Sequence, residues 1–269
     1  MPATDDCSAA GLLELLIASV REGGQLALAS QHQPLQTWAH SLGLGRRTGI
    51  DLPGEIQGLI PDRKWRDQIN KKEIAWEKRT HHGCCRYSDK RSWTVGDNVN
   101  LAVGQGDLQA TPLQMATAYS TLATGGRVPR PHLGMRVQDS SGRLVQQLNP
   151  GSPRHVSIDP NYRQAIMDGL HAAASQPGGT SFDVWNGWDQ NRFPIFGKTG
   201  TAQRPPHPDQ SWYVAYSYDG SPNHKPIVVA VTLEGGGFGA EAAAPAARLI
   251  ISKWFGVKGK YIAGSSHTR

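Results

Sequence analysis

A layered α/β domain of the α+β kind, an antiparallel sheet covered by helices, is the fold class this 269-residue sequence predicts. Three observations carry it. Apolar runs at 193–202, 212–218 and 226–234 are separated by short turn-rich breaks, the pattern of strands joined as antiparallel hairpins. A fourth run, 241–255, repeats its apolar residues at helical spacing and suits a helix lying over one face of that sheet. Upstream, two further helices have legible starts.

Taken in order, residues 34–44 read as a short helix and its stop, and 45–95 as an irregular excursion rich in glycine and charge, with Pro61-Asp62 as a turn. Thr111 caps a helix with Pro112 at its first position. Leu113, Ala116, Tyr119, Ser120 and Ala123 recur along it until Gly125-Gly126 stops it. Asp159-Pro160 opens the next, through Ile166, Leu170 and Ala173 to the Gly178-Gly179 stop. The segment 203–211 reads as a Pro-rich loop between the first two strands. Ser221-Pro222-Asn223 lies in a turn-rich link between the second and third and reads as a hairpin loop.

Composition narrows the classes. A hydrophobic share of 38% over this length supports one ordinary core. The net charge of +6 suits an anionic partner. The basic residues cluster in 63–91 without a nucleic-acid motif, so the segment reads as a solvated charged insertion and nucleic acid is not expected. The longest apolar run, 12–18, is broken by Glu14 and is too short to span a bilayer; no secretion-signal pattern opens the sequence.

Three cysteines make no disulfide framework. His81-His82-Gly83-Cys84-Cys85 has metal-ligand residue types but lacks the Cys-x-x-Cys spacing of zinc sites. It reads as a surface loop whose thiols are open to oxidation; no metal is expected, and the redox compartment stays open.

The chemistry concentrates in Gly197-Lys198-Thr199-Gly200-Thr201, at the end of an apolar run. An ammonium, two hydroxyls and a glycine that admits a ligand close to the backbone make a strand-borne site for an anion or oxyanion. Asp97, Asn98 and Asn100 read as a turn with amides satisfying buried backbone rather than as an acid-base cluster. Trp212 and Tyr213 are expected to pack on the strand pair.

The Lys-Thr-Gly tripeptide resembles the third motif of penicillin-binding proteins and class A β-lactamases. The stretch Gly96-Asp97-Asn98-Val99-Asn100-Leu101-Ala102-Val103-Gly104-Gln105-Gly106 resembles the class B, monofunctional penicillin-binding proteins, especially those of the actinobacterial elongation type. So do Gln109-Ala110-Thr111-Pro112-Leu113-Gln114, Thr48-Gly49-Ile50-Asp51-Leu52-Pro53-Gly54-Glu55 and Gly235-Gly236-Gly237-Phe238-Gly239 before Ala242-Ala243-Ala244-Pro245. The resemblance covers residues 34–256, leaving 1–33 as an atypical segment and 257–269 as a polar tail.

It implies a partial transpeptidase fold without its N-terminal strands and nucleophile helix, and D,D-transpeptidation of peptidoglycan stem peptides through a serine acyl-enzyme, with no cofactor. Carried over residue by residue, Lys198 holds a proton network and the substrate carboxylate, Thr199 and Thr201 bond that carboxylate, and the Thr201 N–H is half of an oxyanion hole. Gly200 and Gln105 line the cleft. The implied ligands are a stem peptide or a β-lactam, the implied partners other cell-wall synthesis proteins, and the implied location a membrane-anchored domain outside the cytoplasmic membrane.

The family's first motif is missing: no Ser-x-x-Lys occurs in the 269 residues. Near the start, Ser8-Ala9-Ala10 and Ser19-Val20-Arg21 lack the amide or carboxyl of the second motif. The expectation is therefore a chain inactive by itself, from a truncated or frameshifted gene. The alternatives are a non-catalytic remnant, a wall-peptide or partner-binding module, or an unstable product.

Overall fold

The structure, a computed structural model, describes residues 33–222 and 224–265. The readings placed on Ser8-Ala9-Ala10, Ser19-Val20-Arg21, the leader region and Asn223 lie outside the described residues.

The three C-terminal runs form one antiparallel sheet in the order β5-β6-β7, with β5 at Ile195–Arg204, β6 at His207–Ser217 and β7 at Ile227–Leu233. Successive residues of β6 point to opposite faces, as the pleat requires. Tyr213 and Ala215 join a core with Ile195, Val229 and the apolar side of α6 (Ala243–Trp254) at Ala244, Ala247 and Ile251. Val214 faces the other way, onto Ala118, Tyr119 and Leu122 of α4 (Pro112–Ala123) and Ile166, Met167 and Leu170 of α5 (Pro160–Ser175). The sheet is thus covered on both faces: an α+β layered domain, with the expected helix α6 on one face and α4 and α5 on the other.

The start signals of α4 and α5 act as read. Thr111 and Gln114 form a capping box ahead of Pro112, and Asp159 accepts from the N–H groups of Asn161 and Tyr162. The buried side of α4 differs from expectation. Gln114, Thr117, Ala118, Tyr119, Thr121 and Leu122 are buried, while Leu113, Ala116, Ser120 and Ala123 are half-buried. A polar interior is tolerable because it is satisfied: Gln114 donates to the carbonyls of Arg46 and Gln57, both at 2.7 Å, and Thr117 and Thr121 bond carbonyls four residues back.

The Pro-rich loop is shorter than expected. Arg204 pairs with His207, so Pro205 and Pro206 occupy a tight hairpin end where their missing N–H groups cost no ladder bonds.

The largest correction concerns 45–95. After α1 (Pro34–Ser41), the excursion contains an 18-residue helix, α2, at Arg63–Thr80. Asp62, read as part of a turn, is its N-cap, accepting from Trp65 N at 2.6 Å. Few of its residues are apolar, so no periodic apolar stripe announced it. Polar anchors on one side hold it instead. The fully buried Glu73 carboxylate accepts from the N–H groups of Arg86, Tyr87 and Ser88, and Asn70 donates to the Arg91 carbonyl at 2.9 Å.

Gly96-Asp97, read as a turn, lies in α3 (Val95–Ala102), where Asp97 closes a capping box with Thr94. Asn98 Oδ1 accepts from the side chains of Gln36 and Trp93 rather than from backbone. Small antiparallel pairs complete the chain: β1 (Arg127–Val128) with β4 (Arg154–His155), and β2 (Arg136–Gln138) with β3 (Leu144–Gln147). Residues beyond α6 run back along the domain: Val257 packs on the core and Gly264 N donates to the Ala240 carbonyl at 3.0 Å.

Candidate active site

Lys198, Thr199, Gly200 and Thr201 lie together on β5, an edge of the three-stranded sheet, opposite Val214, Tyr213, Trp212 and Ser211 of β6. All four are half-buried. An edge strand keeps one row of backbone donors and acceptors outside the ladder, so a peptide can lie along β5 while side chains beside it meet the peptide's charges.

Lys198 is held at its tip. Its Nζ donates to Thr180 Oγ1 at 3.2 Å, to the Thr199 carbonyl at 3.2 Å and to Thr199 Oγ1 at 3.3 Å. Thr180 was not among the residues singled out from sequence. It follows Gly178-Gly179, which the sequence offers only as a helix stop. A Cβ on Gly179 would lie 2.6 Å from the Ala173 carbonyl oxygen and 2.7 Å from that of Ala172, so only glycine lets the chain fold back over the end of α5. Ser181 N then donates to the Ala173 carbonyl at 3.0 Å, fixing the neighbouring Thr180 beside the strand.

The same loop is tied beneath β5. Tyr213 Oη accepts from Trp185 Nε1 at 2.7 Å and lies 3.2 Å from Ser181 Oγ. Burial pushes the Tyr213 phenol up to about 12, against the lowering effect of those two bonds, so it stays neutral. Gly197 makes room for that ring; a Cβ there would stand 2.7 Å from Tyr213 Cζ.

Gln105 enters from the far side of the sequence. Gly104 and Gly106 hold positive φ of 76° and 78°, and Gln105 N closes the turn on the Asn100 carbonyl at 2.8 Å. Its Nε2 donates to the Thr201 carbonyl at 3.1 Å. The structure therefore brings together all five residues expected at the site: Gln105, Lys198, Thr199, Gly200 and Thr201.

The Gly235–Gly239 loop supports the strand from behind. A Cβ on Gly239 would approach Gly200 O at 2.7 Å and Gly200 N at 2.9 Å. Sequence showed this loop as a family resemblance; its seat against Gly200 emerges only in three dimensions.

The other candidates have structural tasks. Asp97 receives a two-point guanidinium contact from Arg91, at 2.6 Å to each oxygen, which holds its carboxyl well below the usual aspartate range. Ser221 donates its N–H to Asp219 within the β6–β7 link. Cys84 and Cys85 are joined as a vicinal disulfide. Donor atoms of Glu73, Glu77 and Cys84 lie within 4.8 Å of one another, but Glu73 is occupied by backbone N–H groups and Glu77 by Lys90 at 2.8 Å.

Known proteins resemble this chain in sequence and fold. The peptidoglycan D,D-transpeptidase MrdA of Salmonella typhimurium is 29% identical over 236 residues, which is 82% of this chain and 34% of that protein. The crystal structure of Pseudomonas aeruginosa PBP2 in complex with WCK 5153 superposes with a TM-score of 0.64 at 27% identity, covering 88% of this chain and 48% of that one. A chain from a peptidoglycan synthase complex coordinating polymerization and crosslinking gives 0.65 at 30% identity, over 97% and 38%. The actinobacterial likeness is weaker: PbpB of Mycolicibacterium smegmatis is 29% identical over 185 residues, 67% of this chain and 24% of that protein. The chain thus spans about a third of the length of the MrdA protein it matches. Residues 24–252 match the penicillin binding protein transpeptidase domain, and the chain belongs to that family.

Proposed function

We propose that this chain supplies the carboxylate-binding wall of a D,D-transpeptidase domain, with residues 34–256 as the domain portion. The observation that supports it is the Lys198 ammonium on an edge strand, steadied by Thr180 and Thr199 and placed beside Thr201. A stem peptide ending in D-Ala lies along β5, its terminal carboxylate facing Lys198 and bonded by the Thr199 and Thr201 hydroxyls; a β-lactam presents the equivalent carboxylate. The Thr201 N–H donates to the oxygen on which charge develops when the carbonyl is attacked, a contribution typically worth about 3 kcal/mol of barrier.

Acyl transfer also needs a nucleophile and its base, and no Ser-x-x-Lys occurs in this sequence. In this reading the chain alone binds carboxylate-ended peptides and does not become acylated. The absent motif favours one second reading, a non-catalytic wall-peptide-binding module. Partners are other cell-wall synthesis proteins, by analogy with the synthase complex that contains a relative. The working place is the outer side of the cytoplasmic membrane; among the described residues no helix is long and apolar enough to cross a membrane.

Incubation with a fluorescent penicillin, followed by a denaturing gel and mass spectrometry, tests the reading together with a titration of a D-Ala-D-Ala peptide followed by NMR. Reversible peptide binding that is lost in Lys198→Ala, with no covalent adduct, is expected. A covalent adduct would show that another serine serves as nucleophile, and absence of peptide binding by a folded chain would remove the wall assignment.

A further inference from the structure

The net charge of this protein is confined to one projecting element. Residues 63–91 hold ten Lys and Arg against four Asp and Glu, and the remaining residues hold eighteen of each, so the whole +6 belongs to α2 and the loop behind it. Three of the four acidic groups are engaged within the protein. Glu73 is buried under three backbone N–H groups, Glu77 pairs with Lys90 at 2.8 Å, and Asp89 pairs with Arg91 at 3.0 Å.

The cations of the helix point outward. Arg63, Lys64, Lys71, Lys72, Lys78 and Arg79 are all exposed, and none has an ion pair among the described residues. At 3.6 residues per turn, Lys64, Lys71 and Lys78 fall on one line about 10.5 Å apart, with Lys72 and Arg79 alongside and a single acidic group, the exposed Asp67, between Lys64 and Lys71, so five cations face one carboxylate. The anchoring residues Arg66, Glu73 and Glu77 occupy the other side. Exposed like charges along one line repel each other, so the face gains from a polyanion that runs beside it.

This arm is fastened to the rim of the candidate cleft. Arg66 Nη2 reaches Asp107 at 3.0 Å and Arg91 grips Asp97 of α3, the helix that ends in the Gln105 turn. Two other polyanion classes fit less well. Ile74 is the one exposed large apolar residue on the helix, which leaves nothing to insert into a lipid surface. Trp76 is stacked by His82 and covered by Arg86, and the exposed Tyr87 ring is covered by the same guanidinium, so neither is an open platform for bases.

We infer that the outer face of α2 is a docking surface for the peptidoglycan strand itself, whose stem peptides carry free carboxylates, holding the polymer beside the strand that receives one peptide end. The inference rests on the proposed transpeptidase reading for the choice of polymer. It concerns a surface remote in sequence from Lys198, so the two can fail separately.

The test is co-sedimentation of the full chain with purified sacculi across a salt series. Comparison samples are sacculi whose carboxylates have been converted to amides, anionic phospholipid vesicles and duplex DNA. Sacculus binding is expected to weaken with salt and on amidation. It is expected to fall about tenfold in the Lys64→Gln/Lys71→Gln/Lys78→Gln variant, whose exposed substitutions leave the fold intact by circular dichroism, and to persist in Lys198→Ala. Undiminished binding by the triple variant overturns the inference, as does absence of binding by the wild type. Equal or stronger binding of vesicles or DNA through the same lysines also overturns it. Sacculi also offer peptide ends to the cleft, so the triple variant is measured in the Lys198→Ala background as well, where the loss reads α2 alone; the D-Ala-D-Ala titration judges the cleft.

Discussion

Gln105 donates its side-chain amide to the carbonyl of Thr201, at 3.1 Å and across a sequence separation of 96. That bond joins the turn after α3 to the strand carrying the Lys-Thr-Gly motif, and makes Gln105 a positioning residue for the place of Thr201 rather than a free ligand group. Gln105→Ala should lower stability by about 1 kcal/mol, the usual net value of such a bond, and Gln105→Glu by more, because a carboxylate facing a carbonyl oxygen repels it. Urea midpoints and amide exchange along 199–202 measure both effects. Unchanged midpoints with unchanged protection would remove the bond from the account.

Two glycines should respond to alanine with opposite signs. At Gly239 the new Cβ meets the backbone of Gly200, which has no flexible end to yield, so Gly239→Ala should cost about 1–3 kcal/mol and weaken peptide binding by displacing β5. Gly169 lies inside α5 with nothing within 4 Å of its Cβ, so Gly169→Ala should stabilise by about 0.5–1 kcal/mol. Thermal melts of the pair decide it, and equal shifts in one direction would contradict the geometry.

Thr180→Val removes one acceptor from the Lys198 ammonium while keeping the shape of the side chain. Peptide binding should weaken about tenfold, roughly the 1.4 kcal/mol expected for one hydrogen bond to a charged group. Thr180→Ser should restore it. Rescue by the hydroxyl separates positioning from packing; if serine and valine behave alike, the hydroxyl has no part in holding Lys198.

What was legible beforehand follows from how each contact is encoded. The sheet and helices α4, α5 and α6 announce themselves because a buried face leaves a periodic trace and caps are local. The site strand was legible through its residue types, and Gln105 through resemblance. The helix α2 was not, because Glu73 and Asn70 anchor it by polar bonds to a loop more than a dozen residues away, which leaves no apolar period. Thr180 was missed for a related reason: its partner lies 18 residues on, and nothing in Gly-Gly-Thr says which strand the fold-back will meet. Asp97 was misplaced in a turn because Gly96 outweighed the Thr94 box that starts a helix there.

Asp97 also sets an acid limit on the rim. The Arg91 guanidinium, with the N–H and hydroxyl of Thr94, stabilises the carboxylate and holds its folded-state pKa below the unfolded value, while the same pairing raises that of Arg91. A depressed carboxyl contributes stability that is fully present above the unfolded aspartate value of about 3.9 and is lost as pH falls through the lowered folded value. Asp97→Asn removes the charge at every pH. It should cost about 2 kcal/mol at neutral pH, where the pair is intact, and progressively less below pH 4, where the wild type surrenders the same interaction. Urea denaturation of both proteins between pH 7 and pH 2 yields the difference directly. Other lowered carboxyls, such as those of Glu73 and Asp51, act equally in both proteins and cancel. A gap between the two curves that stays constant down to pH 2 would mean that the Arg91 contact contributes nothing to holding α2 and its loop against α3.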